Sequence, residues 1–246
     1  MSLTSLTRRR LGGHLARLAG LAGVAALAAT LALPVHAADA AKAADSATAA
    51  PRVKFVTSAG DFVIEVYPDK APKTVENFLQ YVNDKFYDGT VFHRVISGFM
   101  IQGGGFDKDY NQKATRMPVK HEGRESVAKG LRNTVGMVSM VCTGDSHSAT
   151  AQFFINTANN ERLDPIVIPE GDPVKEITIH GQTYTNVPRA RLMHNLNLFG
   201  YTVFGKVVEG MDTVQKIEHA RTGPGGRFPT DVPQTQIVIE SARVLK

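Results

Sequence analysis

The spacing of hydrophobic positions along this chain changes several times, and each change marks an element. Residues 18–33 form an unbroken apolar run of Leu, Ala, Gly, Val and one Thr. From Val53 the pattern alternates, with Val53 and Phe55 before Ser58-Ala59-Gly60-Asp61 and Phe62, Ile64 and Val66 after it, which predicts a β-hairpin. Pro68 to Pro72 breaks the strand, and Pro72 suits the first turn of a helix, where its missing N–H costs nothing. Val75, Phe78, Leu79 and Val82 then recur at i, i+3, i+4 and i+7, predicting an amphipathic helix that ends near Lys85. Phe92 to Phe106 reads as two short β runs joined at Ser97-Gly98. A polar, irregular section follows from Asp107 to Lys129. Strands resume at Val135 to Val141, Gln152 to Asn156 and Tyr201 to Val208, with Cys142 to Ser148 a loop by composition. A short helix is expected from Met211, with Val214 and Ile217 as its apolar pair. Gly223 to Pro233 is expected as a loop and Ile237 to Val244 as a closing strand. Many short strands with hairpin spacing and two helices predict a mostly β fold, an antiparallel closed barrel capped by the helices.

The first residues read as an address. Arg8, Arg9 and Arg10 precede the apolar run, and Val35-His36-Ala37 supplies small residues around a cleavage point. This is the layout of a secretory signal peptide over residues 1–37, cleaved after Ala37. The run is short and alanine-rich beside the roughly 20 strongly apolar residues of a membrane span; an uncleaved anchor is the alternative. Thr7 to Leu11 also resembles a twin-arginine signal, so the export route stays open. Residues 38–51 are mostly alanine with no apolar stripe to bury, which predicts a flexible linker. Residues 52–246 are then one domain with one core.

The leader also accounts for the charge. Removing Arg8, Arg9, Arg10 and Arg17 takes the formal net charge from +5 to +1. The remainder has no basic footprint, so nucleic acid is not an expected partner. The histidines lack metal-ligand spacing, and the single Cys142 permits no disulfide within the chain, so no metal site is expected. A redox role for Cys142 would require an exposed thiol with a lowered pKa. Gly103-Gly104-Gly105 is not a phosphate loop, because no helix follows it.

Chemistry concentrates in Phe92 to Phe106. A two-residue turn at Ser97-Gly98 sets Arg94 opposite Ile101. A three-residue turn, Ser97 to Phe99, sets it opposite Gln102, with Met100 on the same face. The second register would put guanidinium donors and a carboxamide over an apolar floor, as a peptide groove requires. His93 faces the other way and reads as structural.

Three segments now stand in order: FHRVISGFMIQGG, AQFFIN with NNERLD behind it, and GYTVFGKVVEGMD. Together they resemble the cyclophilins, the exported bacterial ones in particular, from about Val53 to Val244. The resemblance implies an eight-stranded barrel with a helix at either end, peptidyl-prolyl cis/trans isomerase activity and no cofactor. It selects the register that pairs Arg94 with Gln102. Arg94 matches the family's catalytic arginine, and Gln102 the residue that holds the substrate backbone and keeps the arginine aimed. Phe99, Met100, Phe154 and Leu163 match the proline pocket, Gln152 a polar groove residue, and the Cys142 backbone the clamp on the residue before proline. Tyr201 stands where eukaryotic members have a histidine and still packs on a proline ring. Arg162 stands where many have a tryptophan, so tight cyclosporin binding is not expected. Residues 165–199 replace a short family loop; Lys175 to Ile179 and Gln182 to Asn186 alternate around His180-Gly181, a small hairpin expected to overhang the groove. The expected partners are proline-containing polypeptides and unfolded exported proteins, met by a monomer in the bacterial periplasm. A binding module without turnover is the rival reading, but it would have no need for Arg94 with Gln102.

Overall fold

The computed structural model describes residues 50–246; the expected signal peptide and all but the end of the expected linker lie outside them. Eight antiparallel strands form one strongly curled sheet. These are β1 (Arg52–Thr57), β2 (Gly60–Val66), β3 (Phe92–Ile96), β4 (Met100–Gly103), β5 (Met137–Met140), β6 (Phe153–Asn156), β9 (Val203–Glu209) and β12 (Ile239–Val244). Their spatial order is β12-β1-β2-β9-β5-β6-β4-β3. Across the seam between the two edge strands runs one isolated bridge, Val91 to Val238. Beside it Phe92 N–H donates to the Ile237 carbonyl and Ile239 N–H to the Thr90 carbonyl, at 3.0 and 2.8 Å.

The concave side holds the core. Phe55, Phe62, Phe78, Tyr87, Phe92, Phe153 and Phe204 are all but inaccessible there. Phe55 and Phe62, paired across β1 and β2, stack with centroids 5.0 Å apart. Helix α1 (Pro72–Asn83) buries Val75, Phe78 and Val82 against this core, as its spacing predicts. Tyr81 takes a core place in addition, while Leu79 is only half-buried. The N-terminus of α1 has no side-chain cap from Ala71. Its orphan amides are satisfied from 48 residues away by the buried Glu122 carboxylate, which accepts from Lys73 N–H, Thr74 N–H and Thr74 Oγ1 at 3.1, 2.8 and 2.7 Å. Glu122→Ala leaves those donors unpaired and should cost about 2–3 kcal/mol, read as a lower urea midpoint. An unchanged midpoint would mean that packing alone holds α1.

Among the described residues there are four α-helices where two were expected. The predicted pair are α1 and α4 (Met211–Glu218), which buries Val214 and Ile217. Helix α2 (Gly123–Ala128) lies in the section read as irregular, and α3 (Arg189–Met193) lies in the insertion. Both span six residues or fewer, too short for a 3.6-residue period to declare itself. The segment read as a loop, Gly223 to Pro233, is largely a hairpin of β10 (Thr222–Gly225) and β11 (Phe228–Pro233). Its glycines and prolines hide the alternation.

The insertion forms a small unit with its own apolar cluster. Strands β7 (Val174–Ile179) and β8 (Gln182–Val187) pair with Ile179 opposite Gln182, leaving His180-Gly181 as the turn the sequence predicts. Ile168, Val174, Ile177, Leu192 and Leu198 pack together beneath it. The two ends of the insertion meet at Gly200, whose φ is +57°; a Cβ there would lie 2.5 Å from the Pro165 nitrogen, so only glycine fits. Tyr201 N–H donates to the Leu163 carbonyl at 2.9 Å beside it. Phe199 anchors the unit, its ring lying 4.5 Å from the Arg124 guanidinium and 5.6 and 5.8 Å from the rings of His121 and His147.

Candidate active site

The turn between β3 and β4 contains three residues. Arg94 pairs with Gln102 and Ile96 with Met100, leaving Ser97, Gly98 and Phe99 as the loop. The turn is held from outside: Gly98, at φ +69°, donates its N–H to the buried Glu218 carboxylate of α4 at 2.8 Å. The Phe99 carbonyl accepts from Thr157 N–H at 3.0 Å and from Asn160 Nδ2 at 2.8 Å. These bonds fix where the Phe99 ring can lie.

Register then carries the site across the sheet. Gln102 pairs onward with Phe154, and Phe154 with Ser139. Directly paired residues share a face, so Arg94, Gln102 and Phe154 form one row on the convex side. Phe153 and Ile155 point the other way, into the core.

The row opens into a cavity of about 170 Å³ lined by Arg94, Phe99, Met100, Gln102, Val141, Cys142, Phe154, Leu163 and Tyr201. Eight of the nine residues expected from sequence are in it. The ninth, Gln152, stands behind the row and accepts a hydrogen bond from Gln102 Nε2 at 3.1 Å. Tyr201 meets the edge of Phe154 with centroids 5.2 Å apart and planes at 89°, forming an aromatic corner. Burial pushes the Tyr201 phenol up, so it stays a neutral wall at physiological pH. Burial also raises the Cys142 thiol, with Asp145 adding to the shift. A half-buried thiol with a raised pKa is the opposite of what a redox sensor needs.

Sequence reasoning missed two features. Asp231 on β11, at φ +68°, sets its carboxylate 3.7 Å from Arg94 Nε. Arg94 thus has an acidic neighbour, and Gln102 bonds to Gln152. The second is a buried amide network under the floor. Ser139 Oγ donates to Asn133 Oδ1 at 2.7 Å, Asn160 Nδ2 to Asn156 Oδ1 at 2.8 Å, and Asn133 Nδ2 to Asp164 Oδ1 at 2.8 Å. It ties the Phe99 turn to the base of the insertion. NNERLD contains Asn160 and Asp164, but nothing in its spacing names their distant partners.

His93 sits at a bulge in β3 and is buried, its ring 4.5 Å from Phe106 and 5.3 Å from Phe228. Burial, with a smaller push from Arg94, lowers its pKa to about 4. It is a neutral structural group, as its place beside Arg94 suggests.

Comparison with known proteins shows which family the chain belongs to. Residues 52–244 match the family model described as cyclophilin type peptidyl-prolyl cis-trans isomerase/CLD. The chain belongs to the cyclophilin-type peptidyl-prolyl cis-trans isomerases. It is 44% identical over 199 residues to peptidyl-prolyl cis-trans isomerase A of Dickeya dadantii (strain 3937), covering 81% of this chain and 87% of that protein. It is also 44% identical over 192 residues to peptidyl-prolyl cis-trans isomerase B of Escherichia coli (strain K12), covering 78% and 98%. Among solved structures, a cyclophilin type isomerase from Cryptosporidium parvum superposes with a TM-score of 0.54 at 21% identity, covering 80% of this chain and 98% of that one. This cyclophilin is therefore an isomerase by family, and the cavity on its convex face is the candidate active site.

Proposed function

We propose that the Arg94 cavity isomerises X–Pro bonds in exported polypeptides by hydrogen bonding to the prolyl nitrogen. The observation that carries this reading is the row Arg94–Gln102–Phe154, which aims a charged donor and a carboxamide at one apolar pocket. Rotation about the amide is slow because resonance gives the C–N bond double-bond character, with a barrier of roughly 18–20 kcal/mol. At the twisted state the nitrogen becomes pyramidal and its lone pair is freed to accept. A guanidinium N–H placed there stabilises that state more than the planar ground state, which is what accelerates a reaction. The proline ring rests on Phe99, Met100, Phe154, Leu163 and Tyr201. Gln102, backed by Gln152, holds the substrate backbone, as does the Cys142 main chain. No bond to the protein forms.

The leader in residues 1–37 supports substrates outside the cytoplasm, in the periplasm, where folding steps limited by proline isomerisation take tens of seconds unaided. The hydrogen bonds at the Val91–Val238 bridge support a closed barrel. Arg162, whose guanidinium lies 4.9 Å from the Phe99 ring, offers no indole surface and supports weak cyclosporin binding. The test of the function is isomerisation of a short Ala-Pro peptide by the mature protein, followed by NMR exchange. Turnover at the uncatalysed rate would leave only a binding module.

The insertion modulates access in this reading, because Leu196, Asn197 and Phe199 wall the space next to Leu163 and Tyr201. Deleting residues 165–196 should change the ratio of protein-substrate to short-peptide turnover. A folded deletion variant with both rates unaltered would refute the role.

A further inference from the structure

Beside the proline pocket lies a second cavity, of about 250 Å³, lined by Cys142, Thr143, Gly144, Ser146, Arg162, Leu163, Leu196, Asn197, Phe199, Gly200 and Tyr201. Cys142, Leu163 and Tyr201 line both, so the two cavities are neighbouring chambers of one groove. The far wall is the insertion: Leu196, 56% exposed, with Asn197 and Phe199.

Among the described residues, Arg162 is the one charged residue lining this chamber. It makes no ion pair among the described residues, and its guanidinium rests over the Phe99 ring at 4.9 Å, between the two chambers. The neighbouring acids do not line the chamber. Asp164 accepts from Asn133 N–H and Nδ2 and lies 3.7 Å from Arg132, and Asp145 accepts from His147 N–H. Glu161 does not line the cavity. An exposed cation held flat on an aromatic face, with hydroxyl and amide groups around it and no acid of its own, suits a carboxylate that arrives with the substrate.

We propose that this chamber is a specificity subsite for an acidic side chain, Asp or Glu, within a few residues of the substrate proline. Arg162 is its anion-binding group and the insertion is its outer wall. The proposal rests on the isomerase reading of the Arg94 cavity, and it adds to that reading a class of preferred substrate. A carboxylate entering the chamber pairs with Arg162 as the proline ring enters the adjoining pocket, so the gain appears in kcat/KM for acidic sequences. Paired at a partly exposed site, it should be worth about two- to fivefold per carboxylate. Such a gain is sensitive to salt, unlike apolar packing against Leu196.

The experiment uses short peptides around one Ala-Pro bond, with Glu, Gln or Lys placed in turn at each other position. Isomerisation is measured by NMR exchange at low and high salt. At one position the Glu peptide should exceed the Lys peptide about fivefold in kcat/KM at low salt. That ratio should fall toward one at high salt, persist in Arg162→Lys, vanish in Arg162→Ala and invert in Arg162→Glu. Equal turnover of Glu and Lys peptides at every position would overturn the subsite while leaving the isomerase intact. A Glu preference that survives high salt would overturn it as well. Silence on every peptide would instead remove the isomerase reading, and the subsite with it. Because the ratio and its salt dependence are internal to the unmodified protein, the test stands even if a variant folds poorly.

Discussion

Arg94→Ala should turn over a short Ala-Pro peptide roughly two to three orders of magnitude more slowly than the unmodified protein. A charged hydrogen bond made mainly in the transition state is worth about 3–4 kcal/mol, and that difference sets the factor. The loss should fall on kcat more than on KM, because the apolar floor that receives the ring remains. Stability should change little. The Arg94 side chain is 46% exposed and its neighbour Asp231 35%, so truncation leaves no charge buried without water. That separates a catalytic loss from a folding loss, and a thermal melt run beside the assay checks it. Arg94→Lys keeps the charge but not the planar fork, and should recover only part of the rate. Equal rates for the unmodified protein and Arg94→Ala would remove the transition-state role and leave the groove as a binder.

Acid should destabilise this domain through His93. Its folded pKa is about 4, against an ordinary value of 6.5, because the imidazole is buried between Phe106 and Phe228. The depression sets the sign. Stability is fully present above pH 6.5. Below it the unfolded chain takes up a proton that the folded chain refuses, and the loss levels off near pH 4. At 1.36 kcal/mol per pH unit, the single group costs about 3 kcal/mol between pH 7 and pH 4. His121, buried beside the insertion, is shifted in the same direction by desolvation and adds to the loss. Urea unfolding at a series of pH values measures the slope, and His93→Gln should flatten it whatever that variant does to stability at neutral pH. Equal slopes would mean that other groups carry the acid response.

Much of the site is local, and local features were legible. Gly98 has the positive φ its turn calls for, Arg94 and Gln102 lie a short turn apart, and Phe154 lies within the strand expected over Gln152 to Asn156. The hairpin of the insertion was equally plain, because Lys175 to Asn186 alternates around a His-Gly turn. Helices α2 and α3 were hidden by their length, and the β10–β11 hairpin by its glycines and prolines.

By itself the sequence determined the eight strands of the main sheet, the β7–β8 hairpin, α1 and α4, most of the residues that line the Arg94 cavity and, through its three ordered segments, the family. Periodicity and turn chemistry act over a few residues, so a chain displays them without folding. Only the tertiary structure decided what stands next to Arg94. Asp231 reaches it from 137 positions away because β11 folds against β3. Glu122 caps α1, Glu218 holds the Gly98 turn, and the Asn133 network ties Phe99 to Asp164 through contacts that no spacing announces. Arg162 is likewise a lone letter in NNERLD until the insertion closes a chamber around it. Distant side chains meet only when burial of the aromatic core brings their strands together, and that is a property of the whole sheet.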